Sequence, residues 1–171
     1  RNLKLNRSLN IKLENLGVSN SKDKYLKFNE SSKDWESSFS HNNFVSLVSQ
    51  KVRTIKIDNY LKNVKTKDYF LFLKLDVEGN EFEVIKSALN TIKKNSPIII
   101  IEFSKYNFVE KNENYNFFNQ FLKKFNYNIY SVNNKKMKPE EILKMVRTLT
   151  KRHETIGNYF LIKSGSKEEN I

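Results

Sequence analysis

The stretch YFLFLKLDVEGNEFEVIKSAL, Tyr69–Leu89, changes its hydrophobic pattern abruptly at Asp76 and decides the fold of this chain. Before Asp76, the segment Phe70–Leu75 is almost entirely apolar, which is typical of a strand covered on both faces. Gly79 then supplies the backbone freedom that a tight turn needs. Beyond the turn, apolar residues recur at steps of three and four positions and predict an amphipathic helix: Phe82, Ile85, Leu89 and Ile92.

The rest of the chain continues this alternation of strands and helices. The segments that predict strands are Ile11–Ser19, Lys24–Phe28, Val52–Ile57, Ile98–Phe103, Tyr127–Val132 and Asn158–Lys163. Further helices are predicted by the apolar stripe Phe118–Phe125 and by Pro139–Val146, which opens with proline in its first turn. Together they predict an α/β fold with a largely parallel sheet.

The remaining segments are polar or short. We expect the last turns of a helix over Leu3–Asn10, an exposed loop over Asn29–Asn43, and a polar tail over residues 164–171 that frays. Asp58 directly precedes the segment Asn59–Asn63 and is expected to cap a short helix there.

The composition bounds the function classes. A chain of 171 residues is long enough for one domain with a substantial core. The absence of Cys excludes disulfides and thiolate metal sites, and it suits a reducing compartment such as the cytoplasm. No apolar run approaches the roughly 20 residues that a membrane-spanning helix needs. The first residues show no signal-peptide pattern.

The net charge of +12 raises the question of an anionic partner. Lysines are scattered along the chain and form no block of five or six like charges. A solvated basic surface is therefore favoured over a dedicated nucleic-acid site, and nucleic acid is not the expected partner. An anionic substrate or glycan stays open.

Acidic residues follow both buried strands of the predicted sheet. Asp76 ends the first strand and Glu102 ends the second. In α/β sheets ligands bind beyond the carboxyl ends of the strands, so neighbouring strands bring these acids to one edge. The alternative is a helix cap at Asp76 and a solvated Glu102. Glu81 and Glu83 are assigned to helix-dipole stabilisation and solubility.

Three segments together carry a resemblance to a known family: TIKIDNYL (residues 54–61), FLKLDVEGNEFEVIKSAL (72–89) and PIIIIEF (97–103). This combination resembles the FkbM-type S-adenosylmethionine-dependent methyltransferases over about Asn2 to Lys163. The resemblance implies a Rossmann-like class I methyltransferase sheet, mostly parallel with an antiparallel last strand. Residues 1–163 correspond to the family from its third strand onward, so the first strands and the Gly-rich cofactor loop are not in this sequence.

The resemblance also implies roles for individual residues. Ser19 and Asn20, where the family commonly has Asp, are expected near the adenine of S-adenosylmethionine. Asp76 is expected to face the reacting methyl group as cofactor contact and first candidate for the catalytic base. Glu102 and Glu78 are expected to support it on the substrate side. No metal ligand set is expected.

The function implied is O-methyl transfer to a hydroxyl of a sugar, a glycan or another natural product. Two alternatives from other classes stay open. One is a basic, non-catalytic α/β module that binds nucleic acid or an anionic glycan. The other is a metal-assisted hydrolase that uses Asp76 and Glu78. The sequence predicts no oligomeric state.

Overall fold

The computed structural model describes residues 10–30, 48–66, 69–110, 112–151 and 154–170. Its strands are β1 (Gly17–Val18), β2 (Tyr25–Glu30), β3 (Val48–Ile55), β4 (Phe72–Leu75), β5 (Ile98–Ser104), β6 (Tyr127–Ser131), β7 (Lys136–Met137) and β8 (Thr155–Lys163). Its α-helices are α1 (Ile57–Tyr60), α2 (Glu81–Ser87), α3 (Leu89–Asn95), α4 (Asn112–Phe125) and α5 (Pro139–Arg147). A π-helical turn (Tyr106–Glu110) follows β5, and a 3₁₀ turn (Lys167–Asn170) follows β8. Residues 3–9 of the predicted helix end and 31–43 of the predicted loop lie outside the described part. Of the helices described, none has the length and apolar character needed to cross a membrane.

The described strands form two sheets, one of three strands in the order β1-β3-β2 and one of five in the order β4-β5-β8-β6-β7. Among the described strands, only β1–β3 and β4–β5 pair in parallel. The other described pairings are antiparallel. The predictions of the α/β class and of an antiparallel last strand are confirmed. The prediction of a mostly parallel sheet is wrong for the described strands. The reason is that β8 lies between β5 and β6 and runs opposite to both.

The strand β4 is less buried than its apolar sequence predicts. Phe70 and Phe72 are 62% and 49% exposed, and only Leu75 of this strand is fully buried. The reason is position: β4 ends the order of the five-stranded sheet, and among the described strands it pairs only with β5. The prediction of a strand covered on both faces is therefore wrong for the described residues.

An aromatic core joins β5, α2 and α4. Phe103 of β5 is fully buried, and its ring centroid lies 4.8 Å from that of Phe108 and 5.2 Å from that of Phe118. The ring of Phe82 in α2 lies 5.8 Å from Phe118 in an edge-to-face arrangement. Such pairs add about 0.5–1.5 kcal/mol each to the stabilisation from burial. The predicted helical stripe is confirmed as core, with these residues buried: Phe118, Phe121 and Leu122.

The segment after β8 folds back onto the sheet instead of fraying. The carboxylate of Glu169 accepts hydrogen bonds from the Tyr130 hydroxyl at 2.8 Å, from the Gly165 backbone N–H at 2.6 Å and from the Asn128 side-chain amide. The Gly165 N–H and the two side-chain donors hold the pKa of Glu169 below its ordinary value. For the described residues 164–170 the prediction of a frayed tail is wrong, because the Glu169 carboxylate ties the segment to β6.

Asp58 caps a helix, but a different one from the helix predicted. It lies inside α1, and its Oδ1 accepts hydrogen bonds from the backbone N–H and the hydroxyl of Thr91, both at 2.8 Å. Its Oδ2 accepts the backbone N–H of Asn90 at 3.0 Å. These N–H groups belong to the first turn of α3, where no intrahelical acceptor is available to them. A side chain more than 30 residues away in sequence thus satisfies the helix start.

We expect Asp58→Ala to lower the free energy of unfolding by about 1–2 kcal/mol, because it leaves the first N–H groups of α3 without this acceptor. Urea denaturation followed by circular dichroism measures the change. Asp23→Ala is the matched control, since Asp23 is exposed on the loop before β2, and we expect it to stay within about 0.5 kcal/mol of the parent. Equal losses in both variants would contradict a specific capping role for Asp58.

Candidate active site

Asp76 lies directly after β4, at the carboxyl end of the strand. Its Oδ2 accepts a hydrogen bond from Lys74 Nζ at 2.9 Å, and the two side chains are 58% and 45% exposed, respectively. An exposed ion pair of this kind contributes about 0–1 kcal/mol. The carboxylate of Asp76 is therefore accessible, and a ligand can displace Lys74 from it at little cost.

The turn after Asp76 has an unusual backbone. Glu78 has φ 47° and Gly79 has φ 95°, so two successive residues adopt positive φ. Gly79 takes this conformation without a steric penalty, as its sequence position predicts. For Glu78 the left-handed conformation costs about 1–2 kcal/mol. Backbone strain of this kind is concentrated at functional sites. Glu78 is exposed in this turn, as is Asp76.

Glu102 lies beside Asp76 in the register of the sheet. Leu75 of β4 pairs with Ile101 of β5, so both acids come one position after this last pair. The strand β5 does not end at Glu102 as predicted but continues to Ser104, with a break in its register to β8 between these two residues. The Glu102 carboxylate accepts a hydrogen bond from the Thr155 hydroxyl at 2.9 Å. The structure therefore brings Asp76 and Glu102 to neighbouring strands.

The surface role that the sequence predicts for Glu81 is wrong. Glu81 is 2% exposed, in contrast to the expected surface position. Burial raises the pKa of the Glu81 carboxyl above its ordinary value, while a hydrogen bond from Asn107 opposes that shift. The spacing of residues in the sequence indicates this burial. Glu81 precedes the buried residues Val84 and Ile85 by three and four positions and therefore lies on the same helix face. The prediction of a surface role holds for Glu83, which is half exposed and paired with Lys86 at 2.8 Å.

The surroundings of Ser19 and Asn20 are formed by other residues than these acids. Ser19 is buried, and its backbone N–H donates to the Ile55 carbonyl at 3.2 Å. Asn20 accepts a hydrogen bond from Lys56 Nζ at 3.0 Å. It lines a cleft of about 520 Å³ near the end of α2 and around α3, whose other basic residues are Lys86, Lys93 and Lys124. The lining of this cleft includes none of the candidate acids Asp76, Glu78 and Glu102.

The basic cleft is not an open groove of unpaired cations. Lys56 is engaged by Asn20, and Lys86 pairs with Glu83 and lies 5.2 Å from the ring centroid of Phe117. Lys124 lies 5.6 Å from the Phe125 ring centroid. These contacts are those of a solvated, partly packed surface. They do not favour the alternative of a polyanion-binding module.

The domain has an α/β fold in which one carboxylate follows β4 and another lies near the end of the adjacent parallel strand β5. In α/β sheets, ligands bind beyond the carboxyl ends of the strands. The chain belongs to the methyltransferase FkbM domain family, whose family model matches residues 2–129. This match confirms the resemblance stated from the sequence, and it includes every candidate site residue. No curated protein and no solved structure matches the chain significantly.

The edge around Asp76 offers chemistry that fits part of S-adenosylmethionine, the methyl donor implied by the family. The Nδ2 of Asn80, at the end of the turn, is buried without a hydrogen-bond partner in the described part of the chain. The same is true of the Oδ1 of Asn158, which is paired with Glu102 in the sheet register. Unpaired buried groups of this kind are rare and call for a ligand or water. Asn80 Nδ2 and Asn158 Oδ1 are thus a donor and an acceptor that the described residues leave unpaired, and the Asp76 carboxylate is an exposed acceptor.

The described residues do not favour a metal centre at this edge. No group of three or more His, Asp or Glu side chains comes together within the part of the chain that the structure describes. Hard cations such as Mg²⁺ and Ca²⁺ require several oxygen ligands in one place. Asp76 and Glu78 alone fall short of such a set, so the metal-assisted hydrolase gains no support.

Proposed function

We propose that this domain transfers a methyl group from S-adenosylmethionine to a hydroxyl of a sugar, a glycan or another natural product. The observation that carries the proposal is the accessible Asp76 carboxylate, which follows β4 and lies beside Glu102 in the register of β4 and β5. Membership of the FkbM methyltransferase family supplies the reaction class.

The chemistry requires an acceptor hydroxyl that loses its proton as its oxygen forms the new bond to carbon. When bound, S-adenosylmethionine supplies an electrophilic methyl group on a sulfonium, which leaves as a neutral thioether. Asp76 accepts the hydroxyl proton as general base, a role typically worth about 10²–10⁴ in rate. Glu102, oriented by the Thr155 hydroxyl at 2.9 Å, holds the acceptor in place. Glu78 provides a further carboxylate on the turn.

The cofactor end of the proposal rests on the family. We propose that the described sheets are parts of one Rossmann-like sheet in the functional protein, with Ser19 and Asn20 near the adenine. Asn20 then exchanges its contact with Lys56 for a contact with the base. The acceptor is bound at the Asp76 edge, beside Glu102 in the register of β4 and β5.

Calorimetric titration of the full-length protein with S-adenosylmethionine tests the proposal. We expect a dissociation constant between about 1 µM and 1 mM, the range usual for enzyme substrates. Transfer of a radiolabelled methyl group to a panel of sugars, glycans and hydroxylated small molecules then identifies the acceptor class. A natively folded protein that binds no cofactor and labels no hydroxyl compound would refute the proposal.

A further inference from the structure

Glu81 is a buried carboxylate without a direct role in the proposed transfer. It is 2% exposed, whereas Glu83 two positions along α2 is half exposed and paired with Lys86. A carboxylate in the first turn gains from the helix dipole whether it is buried or exposed, so the dipole does not explain the burial. Burial of a charged group is costly unless its hydrogen bonds are satisfied. The explanation must therefore lie in the partners of Glu81.

The first partner of Glu81 is the turn that carries the candidate base. Its Oε1 accepts the backbone N–H of Gly79 at 3.1 Å. Gly79 and Glu78 are the two residues with positive φ, and the turn that they form begins at Asp76. A carboxylate that accepts a backbone N–H makes a charge-assisted hydrogen bond, which is stronger than a neutral one. Glu81 thus holds the turn in its strained conformation.

The second partner of Glu81 is Asn107, in the π-helical turn after β5. Asn107 Nδ2 donates to Glu81 Oε2 at 2.6 Å and to the backbone carbonyl of Glu102 at 3.1 Å. Its Oδ1 accepts the backbone N–H of Ser104 at 2.9 Å. Asn107 is 1% exposed. One amide therefore connects Glu81 to the segment of β5 that carries Glu102.

The surroundings of this pair exclude water. The rings of Phe82, Phe103 and Phe108, which flank Glu81, Glu102 and Asn107 in sequence, are 0–1% exposed and pack together in the core. In such a low-dielectric environment hydrogen bonds are strong and an unmade one is costly. The hydrogen bonds of Glu81 and Asn107 are therefore not exchanged with solvent, and they couple the position of the turn after β4 to that of the β5 segment.

We propose that Glu81 and Asn107 are positioning residues that fix the turn carrying Asp76 against the segment carrying Glu102. This inference rests on the proposed function for its catalytic consequence. It assigns Glu81, the third acidic residue of the LDVEGNE stretch, to alignment of the site and not to the surface. It also gives a role to an asparagine that lies far from this stretch in sequence.

Three variants and a control test the pair in the protein at its gene-encoded length. E81Q keeps the shape of the side chain but replaces one carboxylate oxygen by an amide N–H group. That group faces one of the two donors that Glu81 accepts from, the Gly79 N–H or Asn107 Nδ2. N107D places a second carboxyl group against Glu81. The double variant E81Q/N107D reverses donor and acceptor and restores the hydrogen bond between the two side chains. E83Q is the control on the same helix, where the carboxylate is half exposed.

We expect E81Q and N107D each to lower kcat for methyl transfer by about 10- to 100-fold, because a misplacement of about 1 Å costs up to 10²-fold. The KM for S-adenosylmethionine should change by a smaller factor than kcat. The kcat of the double variant should be about tenfold higher than that of N107D, because the effects of substitutions at contacting residues are not additive. The E83Q control should behave as the parent. Circular dichroism and denaturation show whether each variant is folded.

Amide hydrogen exchange gives a readout that does not depend on activity. In E81Q the Gly79 N–H faces either an amide N–H or an uncharged acceptor, so it should exchange at least about tenfold faster. The Val84 N–H, which donates to the Asn80 carbonyl at 3.0 Å, should keep its rate. An unchanged Gly79 rate in folded E81Q, equal loss of activity in E83Q, or no recovery in the double variant would overturn the inference. A parent protein without methyl transfer refutes the proposed function alone, and Gly79 exchange then still decides whether Glu81 fixes the turn.

Discussion

Replacement of Asp76 by Asn is expected to lower kcat for methyl transfer by about 10²–10⁴-fold, the usual contribution of a positioned general base. Asn keeps the size of the side chain and one acceptor oxygen, but it cannot take the proton that the acceptor hydroxyl must lose. Asp76 is also a proposed cofactor contact, so we expect S-adenosylmethionine affinity to fall, by less than about tenfold. Initial rates with radiolabelled cofactor and calorimetric titration measure the two effects separately.

The control for Asp76→Asn is Asp23→Asn. Asp23 is an exposed carboxylate in the loop before β2, and its Oδ2 is 3.4 Å from the Ser21 hydroxyl. The change removes the same charge from the protein without touching the proposed site, and we expect parental kinetics. A full rate in Asp76→Asn would show that another group receives the proton. Equal losses in both variants would attribute the effect to overall charge.

Replacement of Phe103 by Ala is expected to cost about 3–5 kcal/mol of stability, as large-to-small changes of buried aromatic residues do. Phe103 is fully buried, and its ring contacts those of Phe108, Phe118 and Tyr159, with centroids 4.8, 5.2 and 5.5 Å away. Domains have only about 5–15 kcal/mol of stability, so the loss is a large part of the total. For a chain of this size it corresponds to a fall in Tm of roughly 6–20 °C.

Calorimetry and guanidinium denaturation measure the effect of Phe103→Ala. The control is Tyr25→Ala, which removes an aromatic ring that is 54% exposed on β2, and we expect it to cost about 1 kcal/mol or less. A Phe103→Ala protein as stable as this control would show that the core between β5 and α4 is not packed as described.

Local patterns in the sequence predicted the elements and part of the site. The change of hydrophobic period at Asp76 placed the β4–turn–α2 unit, and the stripe Phe118–Phe125 placed the helix whose apolar face fills the core. The sequence also predicted that Asp76 and Glu102 lie on neighbouring strands, which the β4–β5 register confirms. These features depend on residues a few positions apart, and therefore a single sequence contains them.

The errors concern partners that are distant in the chain. The carboxylate of Asp58 accepts hydrogen bonds from the start of α3, and that of Glu169 accepts them from β6. The carboxylate of Glu81 accepts a hydrogen bond from Asn107 at 2.6 Å. For Asp58 and Glu81 the sequence gives a plausible local role, because helix dipoles and caps act within one turn. It contains no signal for which segment packs against each acid in the folded chain.

The sequence by itself determined the α/β class, the FkbM resemblance, the strand–turn–helix unit around Gly79 and the pairing of two acids at strand ends. Only the tertiary structure decided the strand directions, the edge position of β4, and the burial of Glu81 with Asn107 between the two strand ends. Hydrophobic periodicity and turn chemistry are local properties of the chain. Strand pairing and the burial of a carboxylate are instead decided by contacts between distant segments, whose free energies are set only when the whole core packs.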